Sequence, residues 1–233
     1  MKNIITKTFT TILIGMVAFL DAQTINRYGT TTANFLEIGV GSRATSMGDA
    51  YVAVANDVSS IYWNPAGLAH VTRSSALFSI QPWLVDIDMM FAGGAFVVPS
   101  LGVIGLGITH LDYGEMDVTN LQYQDGTGER FGASDVAATF TFSRKIVSWF
   151  SFGSSMKYIS SKIWHSSASA FAVDLGVLVN TNFFSFTGKD KDGMNIGMSI
   201  SNYGTRMKYD GIDNYQPIDI SEFEEGNYGD VAG

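Results

Sequence analysis

"ASAFAVDLGVLVN", residues 168–180, puts Phe171, Val173, Leu175, Val177 and Val179 on one parity. Ala170, Ala172, Asp174 and Gly176 fall on the other, with Leu178 the single exception. Successive side chains of a strand point to opposite faces, so this separation reads as a β-strand with one apolar face and one small or polar face. The pattern recurs in the neighbouring segments. "MNIGMSISNY" (194–203) sets Met194, Ile196, Met198 and Ile200 against Asn195, Gly197, Ser199 and Ser201. "SDVAATFTFS" (134–143) sends Val136, Ala138, Phe140 and Phe142 one way and Asp135, Ala137, Thr139 and Thr141 the other. "WFSFGSSMKYIS" (149–160) opposes Phe150, Phe152, Met156 and Tyr158 to Ser151, Gly153, Ser155 and Lys157. "DMMFAGGAFVV" (88–98) and "LGVIGLGITH" (101–110) are apolar on both parities, which predicts a packing partner on their inner side as well. With "SALFSIQPW" (75–83) and a short strand at 117–123, the chain reads as seven or eight strands at hairpin-like spacing.

A soluble β-sandwich turns a face rich in Lys, Glu and Arg toward water. Here the polar face is Ser, Thr, Gly and Ala, and charged residues make up only 15% of the chain, against roughly 25% in ordinary soluble domains. Strands of about 10 to 14 residues exceed the usual 5 to 6 and meet the 9 to 11 that a tilted strand needs to cross a bilayer. Trp83, Trp149, Tyr158, Trp164 and Tyr203 stand near segment ends, where membrane barrels carry aromatic girdles. The expected fold class is all-β, an antiparallel transmembrane β-barrel with a short N-terminal helical or irregular plug.

Residues 1–22 carry Lys2 and Lys7, then an apolar run from Phe9 to Leu20 and the small residue Ala22. That run is too short to span a bilayer and has the form of a secretory signal peptide. The chain contains no cysteine, which excludes disulfides and thiolate metal sites. Its net charge of −8 becomes −9 without Lys2, Lys7 and Asp21, and seven of those charges lie between Tyr209 and Gly233, where no Lys or Arg occurs. No basic surface remains to neutralise phosphates, so no nucleic-acid partner is expected. The chain therefore divides into a signal peptide (1–22), a plug segment (23–73), barrel strands (74–207) and an acidic loop (208–233).

Within the plug, "GVGSRATSMG" offers Gly39 and Gly41 but has Ala44 where a dinucleotide loop needs its third glycine, and no βαβ pattern follows. No cofactor is expected, and the small residues read as room for close backbone approach. Ser42 is placed to cap a short helix carrying Ala44, Met47, Gly48, Tyr51, Val54 and Ala55, although "YVAVA" (51–55) fits a strand equally, and Asp57 is placed to cap a second ahead of "VSSIYW". Pro65 disfavours helical geometry at Asn64, so the chain must bend in "YWNPAGLAHV" (62–71). The pattern changes there from plug to strands. The junction and its supporting motif comprise Gly39, Gly41, Arg43, Met47, Gly48, Asp57, Tyr62, Trp63, Asn64, Pro65 and Gly67. Tyr62 and Trp63 are expected to pack plug against wall, Asn64 and Pro65 to fix the bend, and Ala66 to Ala69 to fit a narrow gap. His70, His110 and His165 are scattered without a paired carboxylate and nucleophile, so no catalytic residue is expected and the protein reads as non-enzymatic. "DKDGMN" (190–195) lacks the distal glutamate of a calcium loop and reads as a hairpin turn, with no metal.

The block 35–71, "FLEIGVGSRATSMGDAYVAVANDVSSIYWNPAGLAHV", resembles the N-terminal signature of the PorV/PorQ family of Bacteroidetes-type envelope proteins. That family is similar in turn to FadL-type outer-membrane transporters, which share the "D-x-S…NPAGL" element. The resemblance implies a FadL-like barrel of about 14 strands when complete, with the N-terminal block inside or beneath it. By that measure this chain is a C-terminally truncated part ending in an extracellular loop. It also implies the cell outer membrane as location and an accessory or shuttle role in type IX protein secretion, with the translocon, cargo C-terminal signal domains and outer-membrane lipid as partners. For FadL-type members the implied role is passive passage of hydrophobic small molecules.

Overall fold

Each long strand of the chain pairs antiparallel with the next. The order is β1 (Ser75–Pro82), β2 (Asp88–Val98), β3 (Gly102–Asp117), β4 (Arg130–Val147), β5 (Phe150–Ile163), β6 (Ser166–Asn180) and β7 (Asn195–Gly204). The two residues of β8 (Asp210–Gly211) pair back onto β6, and β9 (Tyr215–Ile218) forms a separate hairpin with β10 (Asn227–Asp230). This computed structural model describes residues 32–85, 87–187, 193–212, 215–218 and 227–230. The signal-peptide segment and part of the "DKDGMN" turn lie outside the described residues. Ala33–Gly233 belong to one compact unit, and the account below concerns it.

The fold is all-β and antiparallel, and among the described residues the sheet is not closed: β1 pairs only with β2, and β7 only with β6. The strand expected at 117–123 is instead the last residue of β3 followed by a loop. Val118 donates to Glu129 O and Thr127 to Val118 O, and the loop turns through Gly126 and Gly128 at positive φ.

The parity rule sorts the two faces. Outward side chains are apolar from Phe150 to Tyr158 in β5 except at Ser154, and apolar throughout from Phe171 to Val179 in β6, a span of nine residues in each strand. Phe140, Met156, Phe171, Leu175 and Met198 all stand exposed there. Polar residues flank the band: Ser134 in β4, Ser160 and Lys162 in β5, and Ser167 and Ser169 in β6 continue the same outward parity.

The opposite face is buried under the N-terminal segment. This folds as four short turns of helix, Asn34–Glu37, Ser42–Thr45, Ser60–Trp63 and Pro65–His70. Phe35, Leu36, Val40, Val58, Ile61 and Leu68 meet Met89, Phe91, Ala95, Val103 and Leu111 in one apolar core. That contact explains why β2 and β3 are apolar on both parities: one face looks out and the other touches the plug. Each large side chain buried this way contributes ~1.5–3 kcal/mol. Beyond β3 the inner face turns small, with Thr139, Thr141, Ser143, Ser151, Ser155 and Ala172 buried, because the plug's backbone itself comes close there.

Candidate functional site

The bend at Asn64 is built by the amide of its own side chain. The helical turn Ser60–Trp63 ends in an Asn64 with extended backbone (φ −156°, ψ 106°), as Pro65 at the next position demands, and a 3₁₀ turn begins at Pro65. Asn64 is fully buried. Its Nδ2 donates to Val52 O (2.8 Å) in the plug and to Val177 O (3.1 Å) in β6, while Oδ1 accepts from Ala66 N (3.1 Å). One amide thus closes the turn, holds the preceding loop and bolts both to the wall. No aliphatic residue supplies two donors and an acceptor in that geometry.

The wall is cut to receive this turn. A Cβ at Gly176 would strike Asn64 Oδ1 and the Pro65 ring, one at Gly153 would enter the Pro65–Ala66 peptide, and one at Gly197 would meet the backbone of Val52 and Ala53. Gly67 gives the same clearance on the plug side, against Ala55 O and Ser60 Oγ. Polar links finish the seat. Ser143 Oγ accepts from Ala69 N (3.1 Å) and points at Ala66 O (3.3 Å), and Ser151 Oγ lies 3.1 Å from His70 Nε2. Burial, with Lys145 a lesser cause, lowers the pKa of His70 below its ordinary value.

The remaining motif residues fold the plug on itself. Tyr62 Oη donates to Leu36 O (2.7 Å) and Trp63 Nε1 to Val40 O (2.9 Å), so the pair expected against the wall ties the plug's first segment to its last. Their rings meet edge to face at 4.9 Å, and Trp63 also meets Tyr51 edge-on at 6.2 Å. Burial raises the pKa of the Tyr62 hydroxyl, with smaller contributions from Asp49, Glu37 and Asp174. Asp57 Oδ1 accepts from Ser59 N (2.9 Å) at the entry to Ser60–Trp63, and its Oδ2 accepts from Tyr51 Oη (3.0 Å). Arg43 Nη1 donates to Asn56 Oδ1 (2.8 Å) and lies 3.6 Å from Asp57, its guanidinium 5.3 Å from the centre of the Tyr51 ring. Gly41, not Ser42, takes the cap position of Ser42–Thr45, at φ 88° where a side chain would be strained. Gly39 faces the Asp49 carboxylate too closely for a Cβ, whereas Met47 and Gly48 (φ 62°) stand exposed on the turn between them.

One cluster escaped the sequence reading. Lys157 in β5 and Asp174 in β6 form an ion pair (2.8 Å) with side-chain exposures of 4% and 1%. Lys157 Nζ also donates to Asn202 Oδ1 (2.8 Å), and Asn202 N donates to Asp174 Oδ1 (2.7 Å). The register of β6 against β7 slips between Val173 and Leu175, so Asp174 faces a bulge whose freed amide it accepts. Parity places Lys157 and Asp174 on the inner face, but only the slipped register brings Asn202 to them. Lys157 and Asn202 line a cavity of ≈ 460 Å³ with Tyr62, Trp63 and Glu37 of the plug. Among the described residues no group of three or more His, Cys, Asp or Glu is placed to hold a metal. These contacts fix the N-terminal segment to the sheet.

The family model described as PorV, type IX secretion system protein PorV, matches residues 21–225, and the chain belongs to that family. No curated protein matches the chain.

Proposed function

We propose, on the premise of that membership, that the chain is a non-enzymatic wall of an outer-membrane β-barrel acting as an accessory or shuttle component of type IX protein secretion. Its partners in that reading are the translocon, the C-terminal signal domains of cargo and the surrounding lipid. The observation that carries the membrane part is the outward face: spans of nine residues in adjacent strands whose outward side chains are apolar but for Ser154, flanked by polar residues. Nine to eleven tilted residues are what the hydrocarbon layer requires, and an exposed apolar face of this extent marks a surface that a membrane or a partner covers.

The inner face supports secretion service over passive passage of hydrophobic molecules. Residues 35–71 lie across it from β2 to β7, and a cavity between plug and wall sets Lys157, Glu37, Ser199 and Asn202 beside Leu36, Val52, Tyr62 and Trp63, so polar groups interrupt any apolar path through it. A strain lacking the gene tests this directly. It should retain cargo proteins in the envelope while taking up labelled fatty acids at the parental rate; normal secretion with lost uptake would replace the secretion reading by the transporter one. Fractionation of the full chain as a soluble periplasmic species would remove the membrane reading itself.

A further inference from the structure

Beyond Val179, the last outward valine of β6, Asn180, Thr181 and Asn182 open the turn, and aromatic character returns at Phe183. Asn180 N donates to Trp149 O (2.8 Å), joining the β6–β7 connection to the tight turn between β4 and β5. Hydrogen bonds hold its described residues. Thr181 N donates to Met194 O, Met194 N to Phe183 O, Ser185 N to Asn182 O, and Phe183 N to Thr181 Oγ1. These bonds hold out Phe183, Phe184 and Phe186, whose exposures are 60%, 77% and 102%. Phe183 and Phe184 contact each other edge to face at 4.6 Å, which leaves their outer surfaces uncovered.

Two further facts bear on what covers them. Phe184 takes a left-handed backbone (φ 60°), unfavourable for a bulky side chain and gaining nothing from an exposed ring in water. The rings also extend an existing apolar surface. Val177 and Val179 lead to the turn along β6, and Trp149, Ile146 and Val147, all exposed, stand at the same end of the sheet. An exposed aromatic segment held by its own hydrogen bonds, at the same end of the sheet as other exposed apolar side chains, has the properties of an interfacial anchor.

We infer that the turn 181–187 dips into the bilayer, with Phe183, Phe184 and Phe186 in contact with phospholipid acyl chains beneath the headgroups. The inference rests on the membrane-wall reading above. Because the chain has no cysteine, single sites can be labelled without other changes. The full chain carrying Phe184→Cys, Leu175→Cys or Leu121→Cys is reconstituted in phosphatidylcholine vesicles, labelled with a nitroxide, and its relaxation by oxygen and by a water-soluble nickel chelate measured. Leu175 lies mid-band on the outer face and Leu121 in the exposed β3–β4 loop. The expected result is that positions 184 and 175 are open to oxygen and closed to nickel, and position 121 open to nickel. A label at 184 as open to nickel as that at 121, with 175 still closed, overturns the anchor and leaves the wall reading standing. Nickel access at 175 overturns both.

Discussion

At Asn64 two donors and one acceptor are satisfied by three backbone groups from two layers of the molecule. Asn64→Leu would strand three buried partners, at ~1–3 kcal/mol for each group left unpaired. Asn64→Asp keeps the acceptor for Ala66 but turns a carboxylate onto two carbonyls, so it should unfold more readily than the leucine variant despite being nearly isosteric. Urea midpoints of the detergent-refolded protein measure the order. Gly176→Ala should reach a similar end from the wall side, costing ~1–3 kcal/mol as its methyl displaces the Asn64 amide and the Pro65 ring. His70 adds a pH dependence. Burial lowers its folded pKa, so the unfolded chain takes up a proton first as pH falls below about 6.5. Its stabilisation is therefore complete above that value and is lost as pH falls toward the folded pKa. In His70→Gln, which keeps a hydrogen-bonding group for Ser151, the decline in unfolding midpoint between about pH 7.5 and pH 5.5 should flatten.

Between strands, the Lys157–Asp174 pair decides how β7 joins the sheet. Removing one partner leaves a buried charge, a loss of ~3–5 kcal/mol, whereas replacing both by apolar residues is often close to neutral. Lys157→Met alone should thus lower the unfolding midpoint sharply, and the double change Lys157→Met with Asp174→Leu should recover most of it. Amide exchange at Asn202, whose N–H bonds to Asp174, should speed up in the double variant even where its stability recovers, because only that variant removes the acceptor. If the double variant were no more stable than the single, the pair would be a net source of stability instead of a positional constraint. These strands also show what was legible in the sequence. Parity assigned both faces of β4 to β7 because a period of two survives any register. The pairing of Asp174 with a bulge residue did not follow, because it depends on a one-residue slip that no local pattern encodes. The hydrogen bonds of Tyr62 and Trp63 were not legible either, since their acceptors are the carbonyls of Leu36 and Val40, more than twenty residues away.

For the molecule as a whole, the strand pattern inverts the usual relation between hydrophobicity and burial. Leu175 and Phe171 are exposed, while Ser151, Thr141 and Ser143 on the alternate positions are sealed beneath the plug. In water this arrangement would be a large aggregating surface; in a bilayer it is a two-solvent design, with lipid outside and a packed polypeptide inside. The two solvents predict opposite responses to the same substitution. Leu175→Arg, at mid-band on the outer face, should be tolerated by a water-soluble sheet but should cost about 2–4 kcal/mol in a membrane one. Ser160→Arg, on the same outward parity beyond the band, should cost little in either, since the penalty falls toward zero near the interface. Refolding yield into phosphatidylcholine vesicles, read as heat-modifiable mobility on gels, should therefore drop for Leu175→Arg and hold for Ser160→Arg. Equal yields for both would mean that the apolar band does not face lipid, and some other molecule would have to cover it.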